Sequence, residues 1–302
     1  MQSKHQIREL LDSAGVRPNK RFGQNFLIDL NLMRLLIDTA NIQNNDVVLE
    51  VGPGTGSLTQ AIAEKAGYCV SVEIDGVLAN IAKGQLADKL NVEIIAADVL
   101  KNKFEIEPVV VDALNRARAI HNGRLLLVAN LPYIAATPLI INLVTGPMIA
   151  DSMFVTVQKE VADRMTSQAG IKDYGILSIL MATTGEVKHI RTLKPTVFWP
   201  QPQVNSAFIS YVRDAEKIKA IKSVEMLSRV AGALLQYRRK MLKSCCKLMA
   251  EERSTGFQPV QARPGWPCYN WPKILNQLGI DPEIRPDNLS PEQFVAIANL
   301  CC

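Results

Sequence analysis

Residues 46–66 read DVVLEVGPGTGSLTQAIAEKA, and this stretch decides the fold. Asp46 to Val51 is a short apolar run bounded by turn residues, the signature of a buried strand. From Gly56 the apolar residues recur at helical spacing, so a helix follows directly. Between the two, Gly52, Gly54 and Gly56 let the backbone turn sharply and approach a ligand closely. The spacing is GxGxG. The dinucleotide fingerprint GxGxxG fails because Ser57 stands at its last position.

Working outward, YCVSVEID (68–75) reads as a second strand and GVLANIAKGQLADKL (76–90) as a helix. NVEIIAAD (91–98), RLLLVAN (124–130) and SMFVTVQ (152–158) read as further strands. A helix is expected from Pro138, and KEVADRM follows the fifth strand. KHIRTL and SAFISYV add strands at the sheet edge. Continuous apolar strands alternating with helices predict an α/β chain with a parallel, Rossmann-like sheet covered on both faces. After Val212 the pattern turns helical. Its longest stretch, residues 222–249, reads as one helix carrying Leu234, Met241, Cys245 and Leu248 on one face. Arg239, Lys243 and Lys247 fall on another. The expected division is a sheet domain over residues 1–212 and a small helical domain over residues 213–302. Residues 252–271, rich in Pro, Gly and aromatics, fit neither period and read as a loop insertion.

The chain has 302 residues, 48% of them hydrophobic and 21% charged, with a formal net charge of +5. That balance fills a core and excludes global disorder. The basic excess suits a polyanionic partner without demanding one. No apolar run reaches the ~18 residues that span a bilayer, and the polar start MQSKHQIRELLDSAG lacks a secretory apolar segment. Cysteines 69, 245, 246, 268, 301 and 302 show no CxxC spacing, so no metal site is expected. Their two vicinal pairs suit a reducing compartment, and a cytoplasmic chain is expected.

Glu73 ends the second strand, where a carboxylate accepts hydrogen bonds from both hydroxyls of a ribose. Asp98 ends the third, placed to accept from an adenine amino group. Open α/β sheets bind ligands at these carboxyl ends. Glu50, on the strand entering the glycine loop, stands where a methionine amino group would sit. A cationic sulfonium suits an acidic site without a phosphate cradle, so the expected cofactor is S-adenosylmethionine, not NAD.

The fourth strand ends in Asn130, Leu131, Pro132 and Tyr133. The nitrogen of an adenine amino group is a poor nucleophile because its lone pair is delocalised into the ring. The Asn130 amide oxygen and the Leu131 carbonyl are placed to accept its two N–H bonds and favour a nucleophilic geometry. Pro132 stiffens the loop, and Tyr133 is placed to stack on a base taken out of its helix.

These residues resemble the ribosomal RNA adenine dimethyltransferases of the KsgA (RsmA) type. The likeness runs along nearly the whole chain: KRFGQNFLID (20–29), LEVGPGTGSLT (49–59), VEID (72–75), ANLPY (129–133), VQKEVADRM (157–165), KDYGILS (172–178), FWPQPQVNSA (198–207), RRKMLKS (238–244) and RPDNLSPEQF (285–294). It implies four methyl transfers, two to each of two adjacent adenosines near the 3′ end of small-subunit rRNA. The implied substrate is an immature 30S particle and the implied state a monomer. By matching motifs, Asn25 and Leu27 close over the cofactor, Gly52 and Gly54 line its methionine end, Glu73 holds the ribose, Asp98 the adenine, and Asn130 bridges cofactor and target. The chain departs from the family in IAATP after Tyr133, in Tyr237 before RRK, and in the extra segment at 252–271.

Lys20 and Arg21, Lys159 and Arg164, and Arg238, Arg239 and Lys240 form a candidate RNA track, since cations on phosphates give salt-dependent affinity with little sequence information. The segment before Phe22 is expected to be mobile without ligand. Three rivals are weighed: an Erm-type enzyme acting on large-subunit rRNA, a non-catalytic ribosome assembly factor of the same fold, and an amide or small-molecule methyltransferase with a related loop, which the basic tail motif disfavours.

Overall fold

A computed structural model describes residues 1–19, 22–254 and 270–302, with side chains from 249 to 254 left undescribed. The chain divides into two compact units. One comprises residues 1–162 and 188–213, the other residues 163–187 and 214–302.

The strands of the first unit begin with a short β1 (Phe26–Leu27) and then β2 (Val47–Val51), β3 (Tyr68–Glu73), β4 (Val92–Ala96), β5 (Leu100–Asn102), β6 (Glu105–Ile106), β7 (Leu125–Asn130) and β8 (Ser152–Gln158). β9 (Gly185–Leu193) runs in from the second unit, and β10 (Phe198–Trp199) and β11 (Ser206–Arg213) complete the set. Seven of them form one sheet in the order β4-β3-β2-β7-β8-β11-β9. β4, β3, β2, β7 and β8 are mutually parallel, and β11 runs antiparallel to β8. The sequence runs that read as buried strands are these, because parallel strands covered on both faces are apolar throughout. β5 and β6 pair as a small hairpin, and β10 pairs with β1.

Helices cover both faces. α1 (Lys4–Ser13) and α2 (Leu30–Ala40) precede β2, and α3 (Ser57–Ala63), α4 (Gly76–Gln85), α5 (Pro108–Ile120) and α6 (Tyr133–Thr145) connect the parallel strands. α2 sets Leu32, Met33, Leu36 and Ile37 against Val48, Leu126, Val128 and Phe154, together with Leu58 and Ile62 of α3. Each fully buried Leu or Ile here contributes roughly 1.5–3 kcal/mol relative to an exposed one. Within the segment before Phe22, residues Lys4–Ser13 form a capped helix. Ser3 and Gln6 form a capping box, and Ile7 and Leu11 pack with Phe26 and Leu78.

α6 begins at Tyr133, five residues earlier than the helix expected from Pro138, which lies inside it. A proline near a helix start is tolerated when the carbonyl it leaves unpaired stays near solvent. That carbonyl belongs to Ile134, which is 78% exposed.

The second unit holds α8 (Ile176–Thr184), α9 (Ala215–Lys219), α10 (Val224–Gln236), α11 (Leu242–Ser254), α12 (Trp271–Gln277) and α13 (Pro291–Cys301), while α7 (Lys159–Thr166) joins it from the first. α8, α10 and α13 pack on one another. The single helix expected over 222–249 is broken in two. After Gln236 the amides of Tyr237 and Arg238 bond to carbonyls three residues back, and the amides of Leu242 and Lys243 take the carbonyls of Ile284 and Pro282. The expected faces do not survive this break: Met241 is 44% exposed while Cys245 is fully buried. The expected insertion at 252–271 starts within α11 and ends within α12, and its residues 255–269 lie outside the described residues. Cys69, Cys245, Cys246 and Cys302 are free thiols. Cys301 is disulfide-bonded, against a reading that favours a reducing compartment over a disulfide framework.

Candidate active site

Strand periodicity assembles the site. Side chains alternate faces along a strand, so Glu50 shares a face with Val48 on β2, and Asn130 shares one with Leu126 and Val128 on β7. By the same parity Glu73 goes with Cys69 on β3, Thr156 with Phe154 on β8, and Ser206 with Phe208 on β11. Val48, Cys69, Leu126, Val128, Phe154 and Phe208 all belong to the α2 and α3 core. The polar members of the set therefore meet on one side of the sheet, toward the carboxyl ends of its parallel strands.

A cavity opens there. Counting the open solvent at its mouth, it spans roughly 820 Å³. The GQNFL segment, the glycine loop, Glu50, Glu73 and Asn130 to Tyr133 line it. Gly52 and Gly54 have φ of +75° and +60°, conformations that favour glycine. They are also spatially confined. A Cβ on Gly52 would lie 3.1 Å from Pro132 Cγ, and one on Gly54 would lie 2.7 Å from the Phe26 ring.

Two buried carboxylates face this space. Glu73 is 4% exposed, and its oxygens accept from the Gly54 and Asp75 amides. Burial raises its pKa, with those amide bonds opposing. Glu50 is 1% exposed. Its Oε2 accepts from the Thr59 and Ser71 hydroxyls at 2.6 and 2.7 Å, and its Oε1 accepts no hydrogen bond among the described residues. Burial pushes Glu50 up to about 7, and the neighbouring Glu73 charge adds to the shift. Among the described lining residues there is no Lys, Arg or His. Such a wall repels phosphates and suits a cation.

Asn130 is pinned on both sides. Its Nδ2 donates to the Asn25 carbonyl at 2.9 Å, and its Oδ1 accepts from the Thr156 hydroxyl at 2.6 Å. The Leu131 amide donates to the Thr156 carbonyl. Pro132 caps α6, and the Tyr133 hydroxyl shares a 2.8 Å hydrogen bond with Ser206. Burial raises the Tyr133 pKa, so this hydroxyl stays neutral.

GQNFL is held over the cavity at several points. Asn25 meets Asn130, and Gln24 donates to Asp75 at 3.0 Å. Phe26 and Leu27 pair with Trp199 and Phe198, joining this segment to FWPQP. From the amino-terminal side, the Gln2 amide donates to Ser57 Oγ, its side-chain nitrogen to the Thr55 carbonyl, and its Oε1 accepts from the Thr55 hydroxyl.

The remaining expected residues fall elsewhere. Asp98 lies two residues past β4, exposed, with Oδ1 accepting from the Leu100 amide, and it does not line the cavity. Lys159 and Arg164 are exposed on α7. In the second unit Arg238 is spent on Asp287 at 3.4 Å and on the Lys172 carbonyl, while Arg239 and Lys240 are exposed in the turn between α10 and α11. Lys20 and Arg21 lie outside the described residues. Among the described residues no cluster of His, Cys, Asp and Glu could hold a metal, and no helix is long and apolar enough to cross a membrane.

Sequence reading missed Gln24, Phe26, Thr156 and Ser206. For Gln24 and Phe26 a signal existed in the GQNFL motif itself. Thr156 and Ser206 sit inside strands, and their partners follow only from the register that sets Thr156 beside Asn130.

Residues 15–261 match the family of ribosomal RNA adenine dimethylases. The chain is 33% identical over 295 residues to the ribosomal RNA small subunit methyltransferase A of Halothermothrix orenii, covering 96% of this chain and 90% of that protein. The protein of the same name from Streptomyces avermitilis is 36% identical over 293 residues, covering 97% and 91%. Among solved structures, a dimethyladenosine transferase from Plasmodium falciparum superposes with a TM-score of 0.68 at 21% identity, covering 90% of this chain and 95% of that one. The 23S rRNA methyltransferase ErmE superposes at 0.59 with 22% identity, covering 91% and 98%. At these identities the two structures speak for the Rossmann-like fold alone. By sequence, this chain belongs to the ribosomal RNA adenine dimethylase family.

Proposed function

We propose that this chain is an S-adenosylmethionine-dependent methyltransferase that dimethylates N6 of two adjacent adenosines near the 3′ end of small-subunit rRNA. One observation carries the reading. Asn130 belongs to the wall of a cavity with two buried carboxylates and no cation among its described lining residues.

The residues present suit the cofactor. S-adenosylmethionine, when bound, supplies an electrophilic methyl group on a sulfonium. Glu50 has a free acceptor oxygen for the methionine ammonium, and its ionised form complements the positive charge. Glu73 exchanges its amide partners for ribose hydroxyls. Asp98, whose Oδ2 accepts no hydrogen bond among the described residues, is the acceptor assigned to the adenine amino group. Gly52 and Gly54 bring backbone close to the methionine end, and Asn25 and Leu27 close over it.

For the target base, Asn130 Oδ1 and the Leu131 carbonyl accept the two N–H bonds of the amine. That removes lone-pair delocalisation and aims the nitrogen. The amine sheds its proton after methylation, so no general base is required beforehand. Tyr133, tethered through its hydroxyl, leaves its ring to stack on the flipped base. Arg239 and Lys240 are assigned to RNA phosphates, along with Lys20, Arg21, Lys159 and Arg164; Arg238 serves through its ion pair. The physiological substrate in this reading is an immature 30S particle, met in the cytoplasm by a monomer.

The test is methyl transfer from labelled S-adenosylmethionine to immature small subunits and, in parallel, to large-subunit RNA. Dimethyladenosine near the 3′ end of the small-subunit RNA is expected, and Asn130→Ala should abolish it. Transfer to large-subunit RNA alone would sink the reading in favour of an Erm-type activity.

A further inference from the structure

We infer that Thr156 is a positioning residue for the methyl transfer, acting through Asn130. The inference rests on the function proposed above.

The argument starts from what each partner can do. The Asn25 carbonyl only accepts, so the Asn130 amide nitrogen must be the group that faces it, 2.9 Å away. The amide oxygen is thereby turned to the Thr156 hydroxyl at 2.6 Å, which must donate. An amide oxygen has two acceptor directions. Thr156 occupies one and leaves one for an incoming amine.

Two further features suit Thr156 to this task. It is 1% exposed, so water does not compete for the hydroxyl. Its β-branched side chain is stiff at χ1 in a strand. The same residue accepts the Leu131 amide with its backbone carbonyl and sits opposite Asn130 in the β7–β8 register. Thr156 thus fixes the Asn130 oxygen through its hydroxyl and anchors the peptide between Asn130 and Leu131 through its carbonyl. Without the hydroxyl, Asn130 is held only at its nitrogen, and its oxygen swings about that tether. Misorientation of this kind depresses the chemical step and leaves binding alone.

The experiment compares full-length wild-type protein, Thr156→Val and Thr156→Ser, using labelled S-adenosylmethionine and immature small subunits. Valine keeps the shape and removes the donor; serine keeps the donor and removes a methyl. Thr156→Val should lower kcat by about 10- to 100-fold with KM for the particle and Kd for the cofactor within about twofold, and Thr156→Ser should stay within about threefold of wild type. If the valine variant turns over normally, or if serine is as impaired as valine, the inference is overturned. If the valine variant fails to fold, Thr156→Ala replaces it: serine active and alanine impaired supports the inference, and equal rates overturn it. An inactive wild-type chain would overturn the proposed function and this inference with it. An active wild type beside an indifferent valine variant overturns the inference alone.

Discussion

Glu50 and Glu73 stand on the neighbouring parallel strands β2 and β3, on the same face of the sheet, with both carboxylates buried in the wall of one cavity. Two like charges drawn out of water resist ionising together, and Glu50, the deeper, yields first, at about 7. A bound cation favours its ionised form, so binding releases a proton. Apparent affinity for S-adenosylmethionine should therefore weaken by about tenfold from pH 8 to pH 6. Glu50→Gln serves as reference, removing the contribution of this group. Calorimetric titration of both proteins across that range checks it; identical slopes would disprove the linkage.

The same group shapes stability without ligand. Its folded pKa lies above its unfolded value near 4.5, so the folded chain holds the proton that the unfolded chain releases. Stability from this group is complete below about pH 4.5 and is lost as pH rises toward 7. Glu50→Gln mimics the protonated form. The variant should match wild type near pH 4.5 and exceed it by about 3 kcal/mol at pH 8. Thermal or denaturant unfolding at both pH values reads this difference directly.

Gly52 and Gly54 should fail differently. In Gly54→Ala the new methyl meets the Phe26 ring at 2.7 Å and lifts GQNFL from the cavity. Cofactor Kd should rise at least tenfold, with a stability loss of about 1–3 kcal/mol from the positive φ and the clash. In Gly52→Ala the methyl presses on Pro132 instead. There kcat should fall more than cofactor affinity. Measuring Kd and kcat for both variants separates the two effects.

Reversing Arg239 and Lys240 to Glu should weaken binding to immature small subunits and leave cofactor affinity unchanged. The slope of log K against log salt should flatten by about 1.5, as expected for two lost phosphate contacts. Reversing Arg238 as well confuses the result, because it also breaks the pair with Asp287. Filter binding over a salt series distinguishes these cases.

The parallel strands and the glycine loop were legible in the sequence because burial on both faces writes a strand as an uninterrupted apolar run. The same property hid Thr156. Within SMFVTVQ it looks like one more core residue, and its role depends on a partner 26 residues away. The α10–α11 break was illegible for a different reason. Residues 237–241 contain neither Gly nor Pro, and the carbonyls that take up the first amides of α11 come from residues 282 and 284, far along the chain. The start of α6 was misplaced because Pro138 resembles a first-turn proline, whereas the helix tolerates it further in. At the cavity, Glu50, Glu73 and Asn130 were readable from strand ends. Their mutual orientation needed the sheet.

Because the Asn25 carbonyl holds the Asn130 amide nitrogen on its own side, the group that Asn130 presents to the incoming nucleobase is its oxygen. A base edge bearing an exocyclic amine satisfies that oxygen. A keto edge such as that of guanine would set lone pair against lone pair, at a cost of about 1–3 kcal/mol for the unmet group. Selection of adenine over its keto counterpart thus begins with the main-chain carbonyl that orients the Asn130 amide.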